Sequence, residues 1–303
     1  MKGSRQQAAG SGRRCKDARG VVSSKPKAKR TFVRLLTLCL LPAACCLLVS
    51  CRDTRDERLI HPDTARRELF LRGHVYKEED FLTSAEEGDV QAVKLFLYAG
   101  MKPEARNADA ETPLMLAAKN GHVKAAQALL DKGADANARD AEGHTPLTRA
   151  VIKGSAEAVR LLVERGADVN AQARTGTTAL MQAVANDTPK VVELLLERGA
   201  DPNASDGDAG SSLAWAVYYD RPHFVELLLS KGADPNVKNN VGGTPLMIAA
   251  TKGNPRIVRL LLDKGADPDA RDNEGKTALN WAVATGRDDV AALLQQPRPK
   301  SHQ

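Results

Sequence analysis

Aromatic residues and cysteines are scarce in this chain, and their scarcity limits what it can do. Phe, Trp and Tyr make up only 4% of the 303 residues, which argues against a large aromatic-lined catalytic cavity and against a base-stacking surface. Cysteine occurs five times, the last time at Cys51. The rest of the chain therefore has no disulfide framework and no thiolate metal site. A body without thiols also suits an oxidising compartment, where stray thiols would cross-link.

Net positive charge is confined to the start of the chain. The formal net charge is +6, but residues 1–51 carry a balance of +10 and residues 52–303 a balance of −4. A mildly acidic body does not provide a basic groove that tracks phosphates. We therefore expect no nucleic-acid partner.

The first fifty residues have the pattern of a secretory leader. Residues 25–34 form a cationic run, and residues 35–50 are sixteen residues without a charge. Sixteen residues are short for a transmembrane helix, which needs about 20. A positive segment before a short apolar segment is typical of a signal peptide, although the charged region of 34 residues is long. An uncleaved signal anchor is the alternative.

The end of the apolar run resembles the lipobox of bacterial lipoproteins. Leu48, Val49 and Ser50 precede Cys51, whose thiol is available for a diacylglycerol. The resemblance implies cleavage before Cys51 and acylation of its new amino group, and several acyl chains give stable anchoring. An Asp directly after the cysteine is a signal for the inner membrane, whereas this chain has Arg52 there. We therefore expect an outer-membrane lipoprotein that faces the periplasm.

A 33-residue period runs through the body without insertion or deletion. The sequence GAD recurs at 133, 166, 199, 232 and 265. A hydroxyl residue recurs with the same step, and five of its six members are threonine. A fixed period of this length is typical of repeat architectures, in which each unit stacks on its neighbours. The hydroxyl series is Thr112, Thr145, Thr178, Ser211, Thr244 and Thr277.

These motifs resemble the ankyrin repeat. One full unit reads GGTPLMIAATKGNPRIVRLLLDKGADPDA over 242–270. The resemblance implies an all-α solenoid of about seven 33-residue helix-turn-helix units joined by hairpin loops. The predicted limits are a signal peptide at 1–50, a lipidated cysteine and tether at 51–62, a short helix at 63–74, repeats at 75–107, 108–140, 141–173, 174–206, 207–239, 240–272 and 273–296, and a mobile tail at 297–303.

Residue chemistry within the unit supports the same fold. Thr-Pro is typical of a helix start, because the hydroxyl caps free N–H groups and proline is preorganised for the first turn. A glycine then allows the left-handed turn that ends the first helix, and Asp187 and Asp220 are predicted to take that conformation in two units. Trp215 and Trp281 lie inside first helices, and we expect them in the core.

Sequence gives no catalytic constellation. The six histidines do not stand at metal-ligand spacing; we expect a structural role for His122 and simple exposure for His144. A column of aspartates 33 residues apart, which includes Asp135 and Asp168, could form a calcium ladder or could cap its own turns. We predict turn capping, no catalytic residues, no metal and no cofactor, and we do not expect an enzyme.

Ankyrin repeats bind partners through hairpin tips and the inner helix face. Transferred to this chain, the resemblance places partner contacts on both kinds of position. Adjacent surface tyrosines are rigid and amphipathic, so Tyr218 and Tyr219 are the predicted hot spot. The alternative is that one of them covers the irregular loop 205–210. The remaining predicted contacts are Lys119, Asn120, Glu142, His144, Lys153, Arg174, Asn240, Lys252, Glu274 and Lys276.

The sequence as a whole predicts a monomeric interaction module tethered to the bacterial envelope. Its partner is an unidentified periplasmic protein, and its membrane contact is through acyl chains on Cys51. Two alternatives remain open. The chain could be an immunity protein that inhibits a toxic periplasmic enzyme, or a support factor for an enzyme of envelope stress defence.

Overall fold

A computed structural model of the chain describes residues 60–208 and 210–296. Cys51, its cleavage motif at 48–50, the leader and the tail at 297–303 lie outside these residues. Within them the fold is all-α, as predicted, with fifteen helices and only two isolated β-bridges. The helices are α1 (Pro62–Leu71), α2 (Glu78–Glu87), α3 (Val90–Tyr98), α4 (Pro113–Asn120), α5 (Val123–Asp131), α6 (Pro146–Lys153), α7 (Ala156–Glu164), α8 (Ala179–Ala185), α9 (Pro189–Glu197), α10 (Ser212–Tyr218), α11 (Pro222–Ser230), α12 (Pro245–Lys252), α13 (Pro255–Asp263), α14 (Ala278–Ala284) and α15 (Asp288–Leu294).

From α2 onward the helices form seven pairs in two layers. The first helices of successive pairs pack on one another, and the second helices form a layer behind them. Each first helix from α4 to α12 buries one leucine at the same position of the unit, so the core is one continuous row. Small residues such as Ala117 and Ala250 are fully buried and let neighbouring helices approach closely. The buried leucines are Leu114, Leu147, Leu180, Leu213 and Leu246.

Helix ends follow the residues predicted to make them. Five threonines accept a hydrogen bond from the backbone N–H three residues on, which caps the first helices. Asp187 and Asp220 have φ of +53° and +55°, so the left-handed prediction for both is confirmed. Ser211 makes no such cap, and the hydroxyls of Ser211 and Ser212 are buried without a hydrogen-bond partner. The fifth pair therefore lacks the side-chain cap that the pairs on either side of it have.

α1 precedes the pairs and packs on α3 through buried Ala65 and Leu69. The sequence predicts a short helix at 63–74, and α1 spans Pro62–Leu71. Among the described residues, every helix is too short or too polar to cross a membrane.

Candidate functional site

Hairpin loops between successive pairs stack on one another and form a continuous edge. A backbone N–H of each of four hairpins donates to a carbonyl of the hairpin before it. Because these bonds link main chain to main chain, they join the first three hairpins to one another and the last three to one another. The donor–acceptor pairs are Ala141 to Asp109 at 3.0 Å, Arg174 to Glu142 at 3.0 Å, Asn240 to Gly207 at 2.7 Å and Asn273 to Val241 at 3.1 Å.

Within a hairpin, one Asp or Asn side chain closes the loop. The Oδ1 atom of Asp140 accepts from the backbone N–H groups of Glu142 and His144, both at 2.9 Å. Asp272 and Asn239 do the same in their own hairpins. The short side chain thus fixes the tip from the inside.

Three hairpin carboxylates, Asp140, Asp206 and Asp272, also bind a side chain of the first helix that follows, nine residues on. The Trp215 indole N–H donates to Asp206 at 2.8 Å, and the Trp281 indole N–H donates to Asp272 at 2.8 Å. Arg149 replaces the tryptophan in a third unit and donates to Asp140 at 2.6 Å. Both tryptophans are half-buried at the core edge. The prediction that they are core residues is therefore corrected, because the indole N–H needs a polar partner and finds it in the hairpin.

Arg149 is the centre of a charged cluster on the hairpin edge. Its guanidinium lies 3.2 Å from Glu111, and Lys119 lies 3.5 Å from the same carboxylate. On the other side of Asp140, the His144 ring lies 3.6 Å from the Asp140 carboxylate and 3.2 Å from that of Glu142. The His144 side chain is half-buried, at 24% exposure, which corrects the expectation of simple exposure.

Asp140 is buried yet charged. Burial by itself raises the pKa of the Asp140 carboxyl, but hydrogen bonds from the backbone N–H of His144 and from the Arg149 guanidinium outweigh it. The pKa of Asp140 consequently lies below its ordinary value of 3.8. The carboxylate is thus a fixed acceptor at neutral pH.

An aromatic cluster lies on the same surface, at the end of α10. Tyr218 is 53% exposed and Tyr219 is 42% exposed. Their rings meet edge to face at 5.2 Å, and the Tyr219 ring lies 5.9 Å from that of Trp215. The ammonium of Lys252, one repeat further on, lies 4.0 Å from the centroid of Tyr218. We call Trp215, Tyr218, Tyr219 and Lys252 the aromatic cluster.

An acidic groove lies at the other end of the surface, between α2, α4 and the hairpin at 106–108. It holds about 360 Å³ and is lined by Glu78, Glu79 and Glu86, with Arg106 on one wall. Sequence reasoning missed this groove. The signal that could have found it is the acidic run that replaces Thr-Pro-Leu in the first repeat.

The remaining predicted contact residues fall into two groups. Lys153, Arg174, Asn240 and Glu274 are exposed. Asn120 is half-buried and donates to the Leu116 carbonyl at 3.1 Å.

Lys276 is half-buried too, 2.7 Å from the Glu274 carboxylate and 4.5 Å from the centroid of the Trp281 ring. The ion pair with Glu274 and the contact with the Trp281 ring therefore restrain the Lys276 side chain. The role of these residues as partner contacts stays a prediction.

The aspartate column caps its own turns. Asp135 Oδ1 accepts from the Asn137 N–H at 2.8 Å, and the same contact recurs in the next four turns. Asparagines beside it join neighbouring turns. In the part of the chain that the structure describes, no group of three or more His, Cys, Asp or Glu is placed to hold a metal ion.

The asparagine contacts form a regular ladder. Asn203 Nδ2 donates to the Gly232 carbonyl at 3.1 Å, and Asn203 Oδ1 accepts from the Asp234 N–H at 2.7 Å. Three further asparagines make the same two bonds. The three further asparagines are Asn137, Asn170 and Asn236.

His122 has the structural contact expected for it, since its Nε2 lies 3.0 Å from the Glu86 carbonyl.

Stacked helix pairs with a hairpin edge define a solenoid repeat protein. Family models of ankyrin repeats match residues 81–173 and 213–301, and a second ankyrin model matches residues 162–214. The chain belongs to the ankyrin-repeat family. Its fold is one typical of non-enzymatic protein-interaction domains.

Solved structures are similar over most of the body. The ankyrin repeat domain of human ASB11 covers 72% of this chain and 99% of its own, at 29% identity and a TM-score of 0.63. The ankyrin repeat domain of Bcl-3, described as a unique member of the IkappaB protein family, covers 71% of this chain and 97% of its own, at 31% identity and a TM-score of 0.64. Comparison with curated protein sequences gives no match.

Proposed function

We propose that this protein is a lipid-anchored bacterial envelope protein that binds a periplasmic protein through its hairpin edge and inner helix face, without catalysing a reaction. The cationic and apolar leader that ends in Leu48-Val49-Ser50-Cys51 supports the anchor. The body without cysteine supports an oxidising compartment. The ankyrin fold supports a protein partner.

One observation supports the position proposed for the binding site. Two tyrosines, 53% and 42% exposed, stand on the first-helix layer and are held in place by Trp215 and Lys252. Exposed, preordered aromatic rings are typical of binding hot spots, because they bury a large area and lose few rotamers. We therefore assign the aromatic cluster as the centre of the partner contact.

The hairpin edge supplies the rest of the interface. Backbone hydrogen bonds link its tips in two sets of three, so little loop entropy is lost when a partner binds. Exposed side chains such as Arg174 and Asn240 then form a polar rim. Affinity depends on the few aromatic anchors more than on total area.

A pair of double variants tests the assignment. Tyr218→Ala with Tyr219→Ala removes the rings, and Glu193→Ala with Glu197→Ala removes two exposed side chains of α9, in the layer of second helices away from the proposed contact. We expect in-cell cross-linking to envelope proteins to fall only in the tyrosine variant, while the melting temperature changes little in both, since exposed substitutions have small effects. A large fall in melting temperature with the tyrosine variant would make the rings packing residues.

The anchor is tested by the intact mass of protein extracted from membranes of a Gram-negative host. Residues 51–303 plus acyl groups is the expected species. A mass that retains residues 1–50 without lipid would contradict the lipoprotein proposal and leave the ankyrin interaction surface intact.

The acidic groove favours a second candidate function. Glu78, Glu79 and Glu86 around one groove, on a body of charge −4, suit a basic partner. An inhibitor or immunity role against a basic enzyme is consistent with this. Purified protein should then block such an enzyme, once cross-linking has identified it, and charge reversal at Glu79 and Glu86 should relieve the block.

A further inference from the structure

The outward side of α1 is apolar at one end. Phe70 is 78% exposed and Leu71 is 69% exposed, and Val75 follows them in the adjoining turn and is exposed as well. Ile60, just before the helix, is a fourth exposed apolar residue. We call Phe70, Leu71 and Val75 the α1 patch.

The α1 patch takes no part in the packing of α1 on the solenoid. α1 uses Ala65 and Leu69 to cover α3, and both are fully buried. A terminal element of a solenoid needs a polar outer face for solubility. At the other end, α15 meets this need with Asp288 and Asp289 at its start and Gln295 directly after it. The α1 patch departs from the rule, and contiguous exposed apolar side chains mark a contact surface.

Basic side chains stand beside the patch. Arg67 lies one helical turn before Phe70 and Leu71, and Lys77 follows Val75; both are exposed. Phe and Leu next to Arg and Lys are the composition of helices that lie in the headgroup region of a membrane. Basic residues there are attracted to anionic lipids.

Chain length brings a bilayer within reach. Cys51 stands nine residues before Ile60. Nine residues span at most about 30 Å when fully extended, and α1 adds about 15 Å. A lipid on Cys51 therefore keeps the patch close to the membrane surface, where its effective concentration is high. The same limit applies if residues 35–50 stay attached as an anchor.

We propose that the α1 patch is a membrane-contact face that inserts Phe70, Leu71 and Val75 into the headgroup region of the phospholipid bilayer that holds the protein. The inference rests on the anchoring proposed above. Contact at this face orients the solenoid on the membrane, so that the protein does not rotate freely about its lipid anchor.

Single-cysteine labelling tests the contact, because the body has no cysteine after the lipidated Cys51. Leu71→Cys and, separately, Val75→Cys carry a nitroxide label in the intact membrane-extracted protein, reconstituted in vesicles of phosphatidylethanolamine and phosphatidylglycerol. Val241→Cys is the matched control, since Val241 is an apolar residue of 60% exposure on a hairpin. We expect labels at 71 and 75 to be several-fold less accessible to a water-soluble nickel relaxant than the label at 241, and more accessible to oxygen.

Each other result overturns the inference. Pelleted protein with equal nickel access at 71, 75 and 241 would contradict the membrane contact and leave the anchor standing. Protein that stays in the supernatant would contradict the anchor as well. A label at 71 that is immobilised before vesicles are present would mean that the apolar leader covers the patch. Dipolar broadening between labels would mean that a second copy covers it.

Discussion

The guanidinium of Arg149 donates two hydrogen bonds to one carboxylate oxygen of Asp140, at 2.6 and 3.1 Å. The same side chain lies 3.2 Å from Glu111 in the preceding hairpin. Arg149 therefore joins a first helix to its own hairpin and to the neighbouring one. Bonds of this kind, between ionised groups at the edge of the core, are about twice as strong as neutral hydrogen bonds.

Asp140 should make the free energy of unfolding depend on pH in the acid range. The pKa of its carboxyl is lower in the fold than the ordinary 3.8. The charged form thus stabilises the fold above about pH 4, and that contribution is lost as the pH falls through the lowered pKa. Asp140→Asn keeps the backbone bonds, as Asn239 does in its hairpin. We expect it to lower the free energy of unfolding at pH 7 by about 1–3 kcal/mol.

The measurement is the melting temperature from pH 2 to 7. Wild type should lose stability more steeply below pH 4 than Asp140→Asn does. Glu193→Gln, an exposed carboxylate on α9, is the control and should follow the wild-type curve. Equal acid slopes for wild type and Asp140→Asn would contradict the assignment.

Gly176 should tolerate alanine less than Gly275 does. Both occupy the same hairpin position with positive φ, +81° and +77°, so both variants carry the same backbone strain. A Cβ at Gly176 would lie 2.8 Å from the Asp206 backbone, whereas one at Gly275 meets nothing within 4 Å. Urea unfolding should show an additional loss of about 1–3 kcal/mol for Gly176→Ala. Equal losses would mean that the hairpins are not packed as described.

The contribution of the asparagine ladder to stability should be measurable at a single asparagine. Asn203→Ala removes two bonds between neighbouring turns and should cost about 1–2 kcal/mol of unfolding free energy. Asp269→Ala is the control, because Asp269 stands at the same turn position and the sequence has no further GAD motif 33 residues on. It should stay within about 0.5 kcal/mol of wild type. A smaller effect at Asn203 than at Asp269 would remove the ladder as a source of stability.

Trp215 and Trp281 should differ in function but not in stability. Replacing either with phenylalanine removes a hydrogen bond of 2.8 Å from the indole N–H to a hairpin aspartate. The melting temperature should therefore fall by a similar amount in both variants. Only Trp215 has a tyrosine neighbour among its described ring contacts, at 5.9 Å. Cross-linking to the envelope partner should therefore fall for Trp215→Phe alone. A loss for both variants would place the partner contact along the whole edge.

Sequence reasoning recovered the fold because each repeat specifies it locally. Thr-Pro, a left-handed residue and a leucine stripe are signals within one unit, and the structure follows them even at Asp187 and Asp220. The site was recovered less fully. Exposure of Tyr218 and Tyr219 was predicted, but the partial burial of His144 and the position of Trp215 were not. Those depend on side chains that meet across a hairpin, nine residues or one repeat apart.

The sequence by itself determined the repeat period, the residue types that begin and end the first helices, and the absence of cysteine from the body, because each follows from residue type and spacing along the chain. Tertiary structure alone decided which polar groups meet. Trp215 bonds to Asp206, Asn203 bonds to the next turn, and Phe70 on α1 remains 78% exposed. The physical reason is that stacking fixes the distance between units, and only that distance sets which side chains can bond and which remain exposed.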